Sequence, residues 1–366
     1  MGRMSRVKSW FKGSSVEDIL SVGDLEPIGP ISWQKLYRSF PSFVNLLTAP
    51  KSKLLQAGLT DHQANVLSRR PKNLEAQKHL LTSKSISLLS IDDKNYPPLL
   101  REINDPPLWL YYRGDVSALS TTTLTVVGTR KPSPYALQAI KRLLPDFVVS
   151  NLTIVSGLAY GIDKQAHMLS LENNHPTVAV LAGGLDSIYP ADHSQLAQKI
   201  IDGGGVLVSE YPPLSRPRPA RFPVRNRIIA GLSRLTVVIE AAIRSGSLTT
   251  AKSALDYNRE IFAVPADILR RDADGTNFLI KHGATLLDNP SQIAEFYGFK
   301  ANTLDDVAVD SANGKLLDLI IKAPLSVDTL VELTGSPIEE VLGILTELEI
   351  GGQVFQPQNG YYQRRK

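Results

Sequence analysis

Cysteine is absent from the 366-residue chain. Disulfide bridges and thiolate metal sites are therefore excluded. No apolar run approaches the roughly 18 residues that a membrane-spanning helix needs. The basic first 14 residues contain no apolar segment of signal-peptide length. We therefore expect a cytoplasmic protein that makes no membrane contact, and we expect residues 1–14 to form a mobile tail.

The motifs of several common enzyme classes are also missing. No G-x-G-x-x-G follows the first strand of the central region and no G-x-x-x-x-G-K-[ST] loop occurs, so neither a dinucleotide fingerprint nor a P-loop ATPase is predicted. No H-E-x-x-H is present, and no serine stands in a nucleophile elbow. The six histidines show no metal-ligand spacing, and we expect His167 to be structural. The sequence thus predicts no metal, no cofactor and no catalytic residue.

Acidic residues are missing between Glu210 and Glu240, where six arginines occur. Arg216 and Arg218 lie among prolines, which predicts an extended, solvated loop. Residues 224–232 suit a short helix, and residues 235–239 suit a buried strand. The net charge is only +4, so any anion site must come from local clustering. Because arginine presents paired donors to phosphate oxygens, we predict an anion site here. The alternative is a solvated basic loop.

An alternation of strands and helices dominates the middle of the chain. Apolar, often β-branched runs predict strands at residues 86–90, 108–112, 124–127, 153–156, 177–181, 206–209, 236–240 and 260–264. Amphipathic segments predict helices between most of the last six. Uninterrupted apolar strands that alternate with helices are typical of a parallel sheet covered on both faces. We therefore predict an α/β, doubly wound and mostly parallel fold, with ligands at the carboxyl ends of strands.

Small-residue turns follow several of these strands. They occupy residues 128–134, 156–163, 182–186 and 245–251. Ser133 and Pro134 predict a helix N-terminus that faces an anion, with Arg130 and Lys131 beside it. For any single turn, glycines that merely permit a tight connection are the simpler explanation. Four such turns together with the arginine loop favour a phosphate-binding rim lined by free backbone N–H groups.

Smaller domains flank the central one. We predict a helical, SAM/helix-hairpin-helix-like domain at residues 1–84, the central domain at 85–298, a linker at 299–309 and a winged-helix domain at 310–366. A helical hairpin within residues 54–67 could contact phosphate, although a simple helical bundle is favoured. The third helix of the winged-helix domain carries Glu339, Glu340, Glu347 and Glu349 and no basic residue. Because phosphate charge dominates nucleic-acid affinity, we predict a protein-contact or regulatory role for this domain.

Five ordered segments resemble one known family. They are VVGTRKPSPY (126–135), SGLAYGID (156–163), VLAGGLDSIYP (180–190), FPVRNRIIAGLS (222–233) and SGSLTTA (245–251). They are similar to the DNA-processing protein DprA (Smf) family, and the similarity covers roughly residues 85–298. The resemblance implies a Rossmann-like central domain. It also implies a homodimer that binds and protects incoming single-stranded DNA and loads the RecA recombinase during natural transformation.

The resemblance also implies a DNA pocket formed by Gly128, Arg130, Ser156, Gly157, Phe222, Arg225, Asn226 and Arg227. To this predicted DNA-binding set the turns at residues 128–134 and 245–251 add Thr129, Gly246 and Ser247. We expect a non-catalytic protein in which aromatic faces stack on bases while arginines and turn amides hold phosphates. The alternative is a nucleotide-processing, phosphoribohydrolase-like enzyme on a related fold, whose chemistry needs a positioned carboxylate. The comparable loop here offers Thr249 and Thr250 but no acid, which favours the DNA-binding function.

Overall fold

The structure is a computed structural model that describes residues 9–71, 74–145, 151–270 and 273–299. Of the C-terminal part it describes residues 316–317, 319–321, 323–350, 353–358 and 360–364. The chain forms two compact units, residues 1–292 and residues 293–366. The predicted linker from residue 300 onward lies outside the described residues. None of the helices in the described ranges is long and apolar enough to cross a bilayer.

Six short helices open the chain. They are α1 (Val16–Leu20), α2 (Pro30–Ser39), α3 (Phe43–Leu47), α4 (Lys51–Gln56), α5 (Asp61–Ser68) and α6 (Glu75–Ser83). Side-chain caps start three of them: Ser15, Ser42 and Thr60 each accept a hydrogen bond from a backbone N–H in the first turn. Local sequence thus accounts for where these helices begin.

Residues 9–14 do not form the expected tail. The side chain of Trp10 is fully buried, and its indole nitrogen donates to the carbonyl of Phe40 at 3.1 Å. The ring packs edge-on against Phe11 and lies 5.1 Å from Phe43. Phe43 in turn lies 6.3 Å from Trp109 of the central sheet. The prediction of a mobile tail was wrong for these residues because it rested on the basic side chains around Trp10. The buried ring of Trp10 instead links the helices to the sheet.

The helical hairpin at α4 and α5 has its backbone donors occupied. The N–H groups of Gly58 and Leu59 donate to the carbonyls of Leu55 and Leu54. The N–H of Thr60 donates to Gln63 in a reciprocal cap. This geometry favours the helical-bundle interpretation over a phosphate-contacting hairpin.

A nine-stranded sheet forms the centre of the first unit. Its strands are β1 (Ser87–Ser90), β2 (Trp109–Gly114), β3 (Thr123–Val127), β4 (Thr153–Ser156), β5 (Thr177–Leu181), β6 (Val206–Ser209), β7 (Leu235–Val238), β8 (Glu260–Ala263) and β9 (Thr285–Leu286). Their order is β1-β2-β6-β5-β4-β3-β7-β8-β9. The first two strands pair antiparallel, and β2 also pairs antiparallel with β6. All other pairs are parallel, which confirms the predicted doubly wound, mostly parallel sheet.

Helices connect these strands. They are α7 (Pro98–Glu102), α8 (Pro134–Leu143), α9 (Ile162–Glu172), α10 (Ser194–Asp202), α11 (Arg221–Gly231), α12 (Gly246–Asp256), α13 (Asp274–Lys281) and α14 (Ser291–Tyr297). Helix α9 packs against β3, β4 and β5, whereas α12 packs against β7 and β8. Every residue of β3, β4 and β5 is buried, as a sheet covered on both faces requires.

The chain order places a switch point between β3 and β7. From β3 the chain proceeds outward through β4, β5 and β6, and it then returns to β7 on the other side of β3. Connections on the two sides therefore diverge and leave a crevice at the carboxyl ends of these strands. Ligands of doubly wound folds bind in such crevices, and the predicted turns follow β3, β4 and β7.

The second unit contains a three-stranded sheet and two fully described helices. These elements are β10 (Leu325–Ser326), α15 (Val327–Thr334), α16 (Ile338–Ile350), β11 (Val354–Gln358) and β12 (Tyr361–Arg364), with strand order β10-β12-β11. Buried apolar side chains of both helices form its core. The helix α16 is the predicted acidic helix, and all four of its glutamates are exposed. The winged-helix prediction is confirmed.

We predict that Trp10→Ala lowers the free energy of unfolding by about 3–5 kcal/mol, the range for truncation of a large buried aromatic side chain. Urea denaturation followed by circular dichroism measures the change. Lys12→Ala is the matched control, since Lys12 is exposed two residues away and should alter stability by less than about 0.5 kcal/mol. Equal stability of the Trp10→Ala variant and the unaltered protein would show that residues 9–14 are a tail after all.

Candidate nucleic-acid interface

The switch-point cleft brings most of the predicted site together. Its volume is about 570 Å³. Eight of the eleven predicted residues line it, namely Gly128, Thr129, Arg130, Phe222, Arg225, Asn226, Gly246 and Ser247. Gly157 lines a narrower crevice alongside, which shares Arg130, Phe222 and Arg225 with the cleft. Ser156 lies beneath the surface, and Arg227 lines neither space.

Arg225 forms the floor between the two spaces. It is 5% exposed, and its Nη1 donates to the carbonyl of Gly157 at 2.6 Å and also to the carbonyl of Val180. Burial lowers the pKa of Arg225 to about 10, and the nearby carboxylate of Asp163 opposes the shift. The guanidinium is therefore charged at neutral pH. Because carbonyls hold it, it shapes the rim rather than presenting a free fork to phosphate.

Asn226 and the serines also act as structural ties. The Nδ2 of Asn226 donates to Thr249 Oγ1 at 2.7 Å and to the carbonyl of Gly246, which joins α11 to α12. The hydroxyl of Ser247 donates to the carbonyl of Gly128 at 2.7 Å. The fully buried hydroxyl of Ser156 donates to a carbonyl of β3. The donors of these polar side chains are already engaged by carbonyl and hydroxyl groups of the protein. The side chains therefore hold the rim together rather than offer these donors to a ligand.

Arg227 lies away from the rim, contrary to expectation. Its Nη2 contacts both carboxylate oxygens of Glu210, at 2.6 and 2.7 Å, and its Nε lies 3.6 Å from Asp105. The side chain is nearly buried. Successive residues on a helix point about 100° apart, so residues two positions apart point about 200° apart. Arg225 and Arg227 therefore cannot face the same cleft from α11. The side chain of Arg227 is a buried structural partner of Glu210.

Two further arginines of the 215–240 stretch pair with acids of the segment between α1 and α2. Arg221 pairs with Asp24 and stacks over Tyr211, its guanidinium carbon 4.4 Å from the ring centroid. Arg218 pairs with Glu26 while remaining exposed. The loop is thus a docking segment for the first helices as much as a basic surface. Arg216 is exposed, as expected.

Carboxylates of the protein itself occupy turns that were predicted to bind phosphate. At the start of α8, the N–H and hydroxyl of Ser133 donate to Glu240 at 2.8 and 2.7 Å, and Glu240 also pairs with Arg270. After β4, Asp163 accepts from the N–H of Gly157 at 3.1 Å. Burial raises the pKa of Asp163, and the charge of Arg225 opposes the shift. The expectation of free amides at these two turns was therefore wrong.

Three exposed cations border the cleft instead. Arg130 and Lys131 follow β3, and Arg244 follows β7. None has an ion pair among the residues that the structure describes. The guanidinium carbon of Arg130 lies 5.5 Å from the ring centroid of half-buried Phe222. The strand-end analysis placed Lys131 beside Arg130 but did not carry it into the predicted DNA-binding set. Arg244 was also left out of that set, although it likewise follows a strand end.

This arrangement suits a polyanion with planar groups. The exposed cations can contact phosphates, and the aromatic ring beside Arg130 offers a stacking surface. Among the described residues no group of three or more His, Asp or Glu side chains could hold a metal ion. The carboxylate of Asp163, which lines the cleft, accepts a hydrogen bond from the N–H of Gly157.

The chain is similar to known proteins over most of its length. Residues 87–298 match the family model of DNA recombination-mediator protein A, and residues 299–359 match the DprA winged helix domain. The Smf protein of Escherichia coli is 38% identical over 325 residues, which cover 86% of this chain and 87% of that protein. DprA of Streptococcus pneumoniae is 42% identical over 208 residues, which cover 57% and 73%.

Solved structures are similar as well. The crystal structure of DprA from Streptococcus pneumoniae has a TM-score of 0.65 and 30% identity, and it covers 78% of this chain and 99% of that one. A DprA structure from Helicobacter pylori, described for its single-stranded DNA binding mode, has a TM-score of 0.53 and 31% identity over 58% of this chain and 96% of that one. These matches show that the chain belongs to the DNA recombination-mediator protein A family, whose curated members are named DprA and Smf.

Proposed function

We propose that this protein binds single-stranded DNA at the switch-point cleft and acts as a non-catalytic recombination mediator. In this role it protects incoming DNA and loads RecA during natural transformation. The observation that carries the DNA-binding step is the trio of exposed cations, unpaired within the described part of the chain, around a cleft that also holds an aromatic ring. The structure described for Helicobacter pylori DprA concerns single-stranded DNA binding, which supports the same ligand class here.

The cleft supports a single strand better than a duplex. Bases of a single strand can reach an aromatic ring and a guanidinium plane, whereas the bases of a duplex are stacked on each other. The cations lie on exposed turns, so their attraction for phosphate is long-range and screened by salt. We therefore expect affinity that falls with salt and tolerates changes of sequence.

We also propose that the protein acts as a homodimer. Large apolar side chains are exposed on the segments that follow β7 and β8, on α13 and on β9, one edge strand of the sheet: Ile243, Ile268, Leu269, Phe278 and Leu286. Of these, Ile268 and Leu269 are 90% and 84% exposed. Exposed apolar clusters and uncovered strand edges are typical of protein interfaces. A second copy of the chain would cover both the side chains and the edge.

Binding isotherms for a fluorescent oligothymidylate at fixed salt test the cleft. Arg130→Ala should weaken binding by about 1.5–3 kcal/mol, the range for hydrogen bonds to charged groups. It should also lower the slope of log affinity against log salt by about one. Lys131→Ala and Arg244→Ala should act in the same direction.

Arg218→Ala is the control for general positive charge. Arg218 is as exposed as the rim cations but is paired with Glu26 outside the cleft, so its loss should cost well under about 1 kcal/mol of binding. Equal losses at Arg218 and at the rim positions would indicate a diffuse basic surface. A salt-independent isotherm of the unaltered protein would contradict the proposed function itself.

Arg227→Ala should destabilise the fold rather than remove a phosphate contact. Loss of one partner from a buried pair costs about 3–5 kcal/mol, measured by urea denaturation. Replacing both partners, Arg227→Met with Glu210→Leu, should recover part of that loss because no charge is then left buried alone. A stable Arg227→Ala variant with severely weakened DNA binding would place Arg227 in the binding site.

Truncation after Phe299 should leave single-strand binding largely intact. The winged-helix unit presents an acidic helix, α16, which repels phosphate, whereas the switch-point cleft lies wholly within residues 1–292. Isotherms of the truncated and intact chains, compared at equal oligomeric state, measure the difference. Nearly complete loss of binding by a folded truncated chain would show that the second unit contacts DNA.

A further inference from the structure

Two exposed tyrosines border the rim, in addition to the cations and the Phe222 ring that were assigned to DNA binding. Tyr160 follows β4 and is 43% exposed, and Tyr189 follows β5 and is 52% exposed. Both line the narrow crevice beside the switch-point cleft. Arg130 and Phe222 line the same crevice, so the tyrosines continue the aromatic and cationic surface of the cleft toward β5.

Each tyrosine is held in place while part of its surface stays open. The hydroxyl of Tyr160 donates to Asp192 at 2.8 Å, and its ring lies edge-on to His193 with centroids 4.8 Å apart. The ring of Tyr189 lies 5.9 Å from that of Phe222, at an interplanar angle of 59°. Rings fixed before a ligand arrives lose little conformational freedom on binding, which favours recognition by stacking.

Phe222 has less open surface than either tyrosine. It is half-buried, and the guanidinium groups of Arg130 and Arg225 lie 5.5 and 5.9 Å from its ring centroid. A base that stacked fully on Phe222 would have to displace a guanidinium. The tyrosines present aromatic surface at the same rim, and no cation of the described residues lies over either ring.

We propose that Tyr160 and Tyr189 form a stacking platform for the bases of a single strand whose phosphates contact Arg130, Lys131 and Arg244. This inference rests on the proposed function and adds the residues that receive the bases. Base–aromatic stacking tolerates every base because each has a flat face. The platform therefore gives affinity without a preference for sequence.

The same platform accounts for selection of single strands over duplexes. One wall of the crevice comes from the arginine loop: a Cβ added at Gly183 would lie 2.8 Å from the carbonyl of Ser215 and 3.1 Å from Pro217. This wall keeps the crevice narrow, with a volume of about 30 Å³, so a base would have to stack on the exposed ring surfaces at its mouth. A duplex would first have to unstack and flip a base, which costs free energy.

Fluorescence anisotropy with an oligothymidylate at fixed salt tests the platform. Tyr189→Leu and Tyr160→Leu should each weaken binding about 5- to 150-fold, the range for loss of one stacked base. Tyr189→Phe keeps the ring and should bind like the unaltered protein, whereas Tyr160→Phe keeps the ring but loses its bond to Asp192 and should weaken binding less than Tyr160→Leu does. Tyr135→Leu is the matched control: Tyr135 is 47% exposed, lies outside the crevice and donates to the carbonyl of Pro265.

A second oligonucleotide of equal length with abasic sites separates stacking from phosphate contact. The Leu variants should bind the abasic strand as tightly as the unaltered protein binds it, because no base remains to stack. Leu variants that bind oligothymidylate like the unaltered protein, or that lose affinity equally for both strands, would overturn the platform alone. Absence of salt-sensitive binding by the unaltered protein would overturn the platform and the proposed function together.

Discussion

The shape of the rim depends on the buried guanidinium of Arg225. It joins α11 to the ends of β4 and β5 through the carbonyls of Gly157 and Val180. Burying a charge costs free energy unless the charge is paired and hydrogen-bonded. Asp163 and these carbonyls therefore have to lie close to the guanidinium. Gly157 must lack a side chain, because a Cβ there would lie 2.6 Å from the Arg225 Nη1. The cleft and the crevice both take their walls from this cluster.

Burial divides the arginines into two groups with different roles. Arg221 and Arg227 are nearly buried and pair with Asp24 and Glu210, so they dock the arginine loop and α11 against other elements. Arg130 and Arg244 are exposed and unpaired within the described residues, so their charge is available to a ligand. A count of positive residues along the chain would assign the same role to both groups.

The groups of the rim that a phosphate could contact are side chains more than backbone amides. Glu240 already neutralises the start of α8, and Asp163 accepts from the turn after β4. These carboxylates take the places that a phosphate could occupy at such turns. Flexible exposed cations and aromatic rings remain as the binding groups, which suits a ligand without fixed sequence.

The sequence by itself determined the sheet, the strand ends that carry the site, the acidic α16 and the family, because these follow from local pattern and short motifs. Only the tertiary structure decided which charges remain free. Arg221 and its partner Asp24 are 197 residues apart, and no local pattern records such a pairing. The role of Trp10 likewise depends on its contacts with Phe43 and, through Phe43, with the sheet, and the sequence does not show these contacts. Burial and ion pairing depend on which distant segments are in contact, and the tertiary fold determines those contacts.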